Sequence, residues 1–293
     1  MKLSLDFTTV LFSLKNEEIP VVALSAKTLP RVQFEPQDKE PLEKALRRKL
    51  QEITGLTLGY MEQLYTFGNY GRLKKSTDTR EVSIAYVSLV KDPTRLHSTY
   101  EWIPLYDILP WEDLRNFNRQ IIQKSLKNFA SQSKLNSDRV KIAYDLFTHD
   151  TISHWDRERV HERFEILFDA GLVDENGKNA VQSTALCFDH RRIVASALSR
   201  LRGKIRYRPI VFELMNEEFT LYELQLVVEA LSGENLHKQN FRRLVEQSDL
   251  VEPLGRSSKE KRGRPAEVFR FRREVLLERP TPGIGPKSFP VVR

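Results

Sequence analysis

A set of cationic and amide side chains near the C-terminus has the spacing of one face of a helix. Over residues 237–248, polar side chains recur at i, i+1, i+4 and i+5, and apolar residues fall on the opposite side. Cationic groups neutralise DNA phosphates, and amide side chains pair with adenine edges in the major groove. This pattern nominates Lys238, Gln239, Arg242 and Arg243 for DNA contacts, and Asn240 is a fifth candidate because its amide, like that of Gln239, can pair with an adenine edge.

A second basic segment lies between two short apolar runs, 250–254 and 268–272. Glycine and proline within it favour a slim, extended hairpin tip, where arginine side chains can follow phosphates or enter a narrow minor groove. The sequence therefore predicts a wing whose tip contacts DNA through Lys261, Arg262 and Arg264.

The elements that must position these residues can be read from the segment before them. Thr220 and Glu223 form a capping box that opens a helix at 221–231. A turn containing Gly233 separates this helix from the basic one, which is the form of a helix-turn-helix. Thr220, at the helix N-terminus, is one more candidate DNA contact. A solvated helix face and a polar loop would also be rich in charge, but the helix pair, turn and basic wing together favour DNA binding.

Composition restricts the chain to a few classes of protein. Of its 293 residues, 40% are hydrophobic and 30% are charged, with a formal net charge of +7. Residues 1–190 carry 26 Lys and Arg against 27 Asp and Glu, whereas residues 191–273 carry 18 against 11. The basic excess therefore lies at the C-terminal end, where the polyanion contact is expected.

A single cysteine, Cys187, excludes a disulfide framework and fits a reducing cytoplasm. No apolar run approaches the roughly 20 residues of a membrane span.

The N-terminal residues 1–108 alternate between strand and helix patterns. Strands are predicted at 5–14, 19–25, 60–67 and 81–91, and a helix at 41–54 ends at Gly55. Residues 109–186 predict an all-helical insert with helices at 112–131, 138–148 and 156–171. Its histidines, His149, His154 and His161, match no common zinc spacing, so we interpret them as structural. A linker helix over 187–206 leads to the domain at 207–275, and an irregular tail covers 276–293.

Several segments resemble a known family. Leu42–Leu56 resembles the second half of a Nudix box, and Phe188–His190, Pro209–Leu214, Phe219–Gln225 and Arg262–Pro265 are similar to NrtR-type regulators. In that family a Nudix-like domain senses an NAD-related nucleotide, and a winged helix binds operators of NAD metabolism genes. The insert resembles the NadQ branch, which regulates de novo NAD synthesis. The resemblance implies an α+β fold: an N-terminal Nudix-like α/β/α sandwich with an all-helical insert, and a C-terminal winged helix-turn-helix domain.

The Nudix-like segment departs from the catalytic pattern. An active box places carboxylates one helical turn apart to hold Mg²⁺ against a pyrophosphate. Here Lys49 and Ile53 stand at two of the three carboxylate positions and only Glu52 remains. The sequence therefore predicts no catalytic residue, no metal site and no required cofactor. Lys49 either replaces the cation as a phosphate counter-ion or is an exposed helix residue. Arg48, Lys49 and Glu52 are the candidate effector-binding residues of this helix. The resemblance implies that Arg72 also reaches the phosphates of the ligand; the alternatives are that Arg72 caps a loop or lies in a dimer contact.

These features predict a ligand-responsive transcriptional repressor that works as a homodimer on a palindromic operator. Its effector is NAD, ADP-ribose or ATP. The alternative is a Nudix hydrolase of ADP-ribose or a related dinucleotide with an accessory nucleic-acid-binding domain. In that case Glu52 would rebuild a metal site with Glu35, Asp38 or Glu40. A constitutive DNA-binding protein with a structural Nudix-like scaffold is the third possibility.

Overall fold

The computed structural model describes residues 2–16, 18–33, 39–72, 79–116, 122, 124–125, 146–147, 155–173, 183–258 and 265–275. Several predictions fall outside these residues. They are most of the helices at 112–131 and 138–148, His149, His154, the tail at 276–293, the carboxylates Glu35 and Asp38, and the wing-tip residues Lys261, Arg262 and Arg264.

The N-terminal region is built on a six-stranded mixed sheet. Its strands are β1 (Lys2–Lys15), β2 (Ile19–Leu24), β3 (Arg31–Gln33), β4 (Met61–Phe67), β5 (Thr79–Leu89) and β6 (Glu101–Pro104). The strand order is β4-β5-β1-β2-β6, and β3 also pairs with β1. The long central strand β1 runs parallel to β5 and antiparallel to β2 and β3. All four strands predicted from the sequence are present.

One face of this sheet is covered by helix α1 (Leu42–Thr54), as the apolar spacing of that segment predicts. Leu46 and Leu50 of α1 pack against Phe7 and Tyr86 of the sheet. The helix ends at Gly55, whose φ of 77° is in the left-handed region. A Cβ atom there would lie 2.6 Å from the carbonyl oxygen of Arg95, so both the backbone and the packing require glycine.

The opposite face belongs to a larger core that continues into the C-terminal domain. Among the described residues, this part of the chain also contains α2 (Leu105–Ile108), α3 (Val160–Asp169) and α4 (His190–Ile205), with 3₁₀ turns at Pro93–Arg95, Pro110–Glu112 and Ile210–Leu214. Helix α4 was predicted as a linker, and it extends past Gly203 to Ile205. Eleven of its residues are buried, and seven of these, all apolar, belong to the core that both parts of the chain share. Burial on several sides explains why a glycine inside the helix is tolerated.

The C-terminal domain consists of β7 (Glu218–Thr220), α5 (Leu221–Ser232), α6 (Lys238–Ser248), β8 (Val251–Ser257) and β9 (Glu267–Phe271). Its antiparallel sheet has the order β7-β9-β8. Along the chain, the two wing strands β8 and β9 follow the helix pair. This is the winged arrangement that the sequence predicts. No helix in the described part of the chain is both long and apolar enough to span a bilayer.

Candidate functional site

The basic face of α6 is exposed. Phe241 and Val245 are buried against the rest of the domain, which fixes the rotation of the helix. Lys238, Gln239, Arg242 and Arg243 are consequently exposed, and Asn240 is half-buried. The sequence-predicted contact residues of this helix therefore share one accessible side.

A groove of about 760 Å³ lies between α6, the start of α5 and the wing strands. Three of the predicted residues line it: Thr220, Lys238 and Arg242. Tyr222 and the carboxylates of Glu223, Glu246 and Glu267 line it as well. The groove is therefore lined by both positively and negatively charged side chains. Gln239 and Arg243 lie on the adjacent row of α6.

Thr220 has a structural role at this groove. Its hydroxyl oxygen accepts a hydrogen bond from the backbone N–H of Glu223 at 3.3 Å, and the Glu223 carboxylate accepts one from the N–H of Thr220 at 2.7 Å. The predicted capping box is thus confirmed, with Thr220 only 8% exposed. Tyr222, in the first turn of the same helix, is 50% exposed and was not singled out by the sequence reasoning.

A buried ion-pair cluster attaches the helix-turn-helix to the body. The carboxylate of Glu112 accepts hydrogen bonds from Arg163 at 2.7 and 2.8 Å and from Arg202 at 2.6 Å. All three side chains are almost completely buried. Burial alone would raise the pKa of Glu112, but the two guanidinium groups outweigh it and hold the pKa below its ordinary value. The cluster joins α3 and α4 to the 3₁₀ turn Pro110–Glu112.

The turn between α5 and α6 docks directly on this cluster. The carbonyl oxygen of Gly233 accepts a hydrogen bond from the N–H of Leu114 at 2.7 Å. Arg202 donates to the carbonyl oxygen of Leu231 at 3.0 Å. Gly233 has a φ of 73°, and a Cβ atom there would lie 2.2 Å from the carbonyl oxygen of Glu112. The helix-turn-helix is therefore held against the body by backbone contacts that a larger residue would break.

The predicted effector residues of α1 lie on its outer part. Arg48 is exposed and forms ion pairs with Glu52 at 3.1 Å and Glu40 at 3.4 Å. Lys49 is half-buried, with its ammonium nitrogen shielded from solvent. Because they share one helix, these residues form a single group.

Arg72 lies in a different environment from these three. Its Nε and Nη2 atoms donate to the two carboxylate oxygens of Asp189, each at 2.8 Å, and its Nη1 donates to Ser83 Oγ at 2.6 Å. Ser83 in turn donates to Asp6 at 2.6 Å, and Asp6 also accepts from Arg31. We call these five residues the Arg72 cluster. It is a buried polar network that joins β1, β3 and β5 to the residue just before α4.

His190 extends the contact between the sheet and α4. Its Nδ1 atom accepts a hydrogen bond from the N–H of Leu29 at 2.9 Å. Burial, together with the nearby charges of Arg31 and Arg72, lowers the pKa of His190 to about 3. The ring is therefore neutral near pH 7, as an acceptor at Nδ1 requires.

The four predicted effector residues are not brought together. Asp6 and Ser83, two members of the Arg72 cluster, alternate along their strands with Phe7 and Ile84, which face α1. Arg72 therefore lies on one face of the sheet, and Arg48, Lys49 and Glu52 lie beyond the other.

Sequence reasoning missed the residues that anchor both clusters: Asp6, Asp189, Glu112, Arg163 and Arg202. Asp6 carried a usable signal, because it interrupts an apolar strand on a side that faces the core. No local sequence pattern marks the other four residues, and their partners are distant along the chain.

Comparison with known proteins identifies the type of the C-terminal domain. Residues 211–271 match the family model of the NrtR DNA-binding winged helix domain. The chain is similar to the ADPR responsive transcriptional repressor NtrR of Acinetobacter baylyi, with 42% identity over 86 residues. That match spans 29% of this chain and about a third (34%) of the relative.

Solved structures share the whole fold. The crystal structure of Shewanella oneidensis NrtR complexed with a 27mer DNA matches with a TM-score of 0.57 and 24% identity, over 92% of this chain and 94% of that one. A MutT/nudix family protein from Enterococcus faecalis matches with a TM-score of 0.53 and 16% identity, over 93% and 87%. The predicted fold class and the resemblance to NrtR-type regulators are thereby confirmed.

Proposed function

Starting from this NrtR-type fold, we propose that the chain is an effector-responsive, DNA-binding transcriptional repressor of NAD metabolism genes that acts in the cytoplasm. The observation that carries the proposal is the exposed cationic row of α6, set beside a wing in a domain of the NrtR DNA-binding type. In a winged helix this row enters the major groove, where Lys238 and Arg242 contact phosphates or bases.

The effector that we propose is ADP-ribose. The Acinetobacter relative is named as an ADPR responsive repressor, and a ligand with a diphosphate needs cationic donors in the N-terminal domain. Arg72 is the best candidate for this contact, because its planar guanidinium group can donate two parallel hydrogen bonds to two phosphate oxygens. NAD and ATP contain the same chemical groups and are the comparison ligands.

The N-terminal domain acts as a sensor in this proposal and does not hydrolyse its ligand. Mg²⁺ prefers several oxygen ligands around one point. At the α1 positions the donor set does not fit, because Glu52 is paired with Arg48 and the neighbouring Lys49 and Ile53 provide no oxygen. No step of the proposed mechanism uses a metal.

A homodimer on a palindromic operator fits this function, since two helix-turn-helix units then contact half-sites one helical turn apart. Helix α4 is placed to connect the two parts of each protomer. Its N-terminal end meets the Arg72 cluster through Asp189, and Arg202 near its C-terminal end holds the α5–α6 turn. A shift of α4 on effector binding would move the two α6 helices relative to each other.

Fluorescence anisotropy with labelled DNA from the chain's own upstream region tests the proposal. We expect binding by the wild type, loss of binding in the Lys238→Ala/Arg242→Ala double variant, and a changed affinity with ADP-ribose. If the double variant binds the DNA as tightly as the wild type does, the DNA-binding role of α6 is refuted. An affinity that ADP-ribose, NAD and ATP all leave unchanged would instead favour a constitutive DNA-binding protein. Mg²⁺-dependent release of AMP from ADP-ribose would favour the hydrolase.

A further inference from the structure

The Nε–Nη2 edge of the Arg72 guanidinium group is occupied in this structure. It donates to both oxygens of Asp189, and Nη1 donates to Ser83. A diphosphate that binds side-on, through parallel hydrogen bonds from Nε and Nη2, needs the same two donors as Asp189. Such a ligand and Asp189 therefore cannot bind Arg72 in this way at the same time.

The charge balance of the cluster leads to the same conclusion. Asp6 and Asp189 compensate Arg31 and Arg72, and these side chains are largely withdrawn from solvent. An added anion would leave an uncompensated negative charge in a buried site, which is strongly unfavourable. If Asp189 leaves as the anion enters, the charge of the cluster is unchanged.

Asp189 is also placed to transmit such an exchange. It immediately precedes α4, and Phe188 before it has a φ of 60°, a strained value for a bulky residue. Neighbouring contacts, from Asp189 to Arg72 and from His190 to Leu29, hold the segment in this conformation. Loss of the first contact would let Phe188 relax and would free the N-terminal end of α4.

We propose that the carboxylate of Asp189 and the diphosphate of the effector compete for Arg72, so that effector binding and the anchoring of α4 exclude each other. Asp189 thus occupies the place of a phosphate in the DNA-binding state. The inference rests on the proposed function, and it adds the exchange by which the effector site controls α4.

The test compares Asp189→Asn with the wild type, using calorimetric titration of ADP-ribose and anisotropy with operator DNA. Asparagine keeps the shape and removes the charge, so Arg72 is released more easily. We expect ADP-ribose affinity to rise about tenfold or more. Operator affinity without ligand is expected to move toward the value of the ligand-bound wild type. Glu165→Gln is the matched control: it removes the carboxylate that binds Arg192 of the same helix through two hydrogen bonds, and should change neither affinity.

Equal ADP-ribose affinity in Asp189→Asn and the wild type would overturn the exchange and leave the proposed function standing. Failure of the wild type to bind any of the three nucleotides would remove both. Hydrogen exchange on the wild type provides a readout that needs no variant. ADP-ribose should accelerate exchange of the amides at the start of α4, around residues 190–194, and protection of these amides would contradict the proposal.

Discussion

Replacement of Gly233 by alanine probes the contact that orients the helix-turn-helix. The left-handed φ of 73° costs an alanine about 1–2 kcal/mol. The new Cβ atom would meet the backbone carbonyl oxygen of Glu112 at 2.2 Å, and backbone atoms cannot rotate away as a side chain can. Accommodating the extra atom, through strained packing or movement of the turn, costs roughly a further 1–3 kcal/mol. We expect a total loss of about 2–5 kcal/mol.

Gly171 is the matched control for this substitution. Its φ of 66° is also left-handed, but a Cβ atom there would meet none of the described residues within 4 Å. Gly171→Ala should therefore cost only the backbone part, about 1–2 kcal/mol. Urea unfolding followed by circular dichroism measures both variants, and anisotropy measures their operator affinity. Equal losses in the two variants would refute the docking of the turn on Glu112.

Three further predictions concern the buried charges and the DNA contacts. Glu112→Gln should lower the free energy of unfolding at pH 7 by about 3–5 kcal/mol, because two buried guanidinium groups lose their counter-ion; a loss under 1 kcal/mol in urea unfolding would contradict this. The pKa of His190 is about 3 in the folded protein, against an ordinary value of 6.5, so the unfolded state binds more protons between these two pH values. Stability should fall as the pH drops below 6.5, by up to about 1.4 kcal/mol per pH unit from this group. His190→Gln should remove that part of the slope between pH 6.5 and 5, and an unchanged slope would disprove it. Lys238→Ala and Arg242→Ala should each reduce the salt dependence of operator binding by about one ion, whereas Lys44→Ala on α1 should not; identical salt slopes in all three variants would exclude the phosphate contacts.

Local patterns predicted much of the fold because they depend on neighbouring residues. The spacing of apolar residues located α1, α5 and α6, the capping box at Thr220 located the start of α5, and Gly55 located the end of α1. The same spacing also predicted which side of α6 is exposed.

Tertiary pairing could not be predicted in this way. Arg72 and its partner Asp189 are 117 residues apart, and no local pattern connects them. The resemblance placed Arg72 with the residues of α1, but the alternation of β1 and β5 puts it on the other face of the sheet. The sequence predicts a linker helix at 187–206, but it does not show which of its arginines are buried. Arg191 and Arg202 are buried, and Arg202 has a carboxylate partner from a distant segment.

The claim that ADP-ribose, bound through Arg72, changes operator affinity is tested most directly by titrating labelled operator DNA with the wild-type protein at fixed salt, with and without saturating ADP-ribose. We expect binding in the absence of ligand and a shift in the dissociation constant when ADP-ribose is added. The shift should be much smaller in Arg72→Lys, whose single ammonium group cannot form the paired contact. A dissociation constant that ADP-ribose does not change, or that changes equally in the wild type and Arg72→Lys, would contradict it.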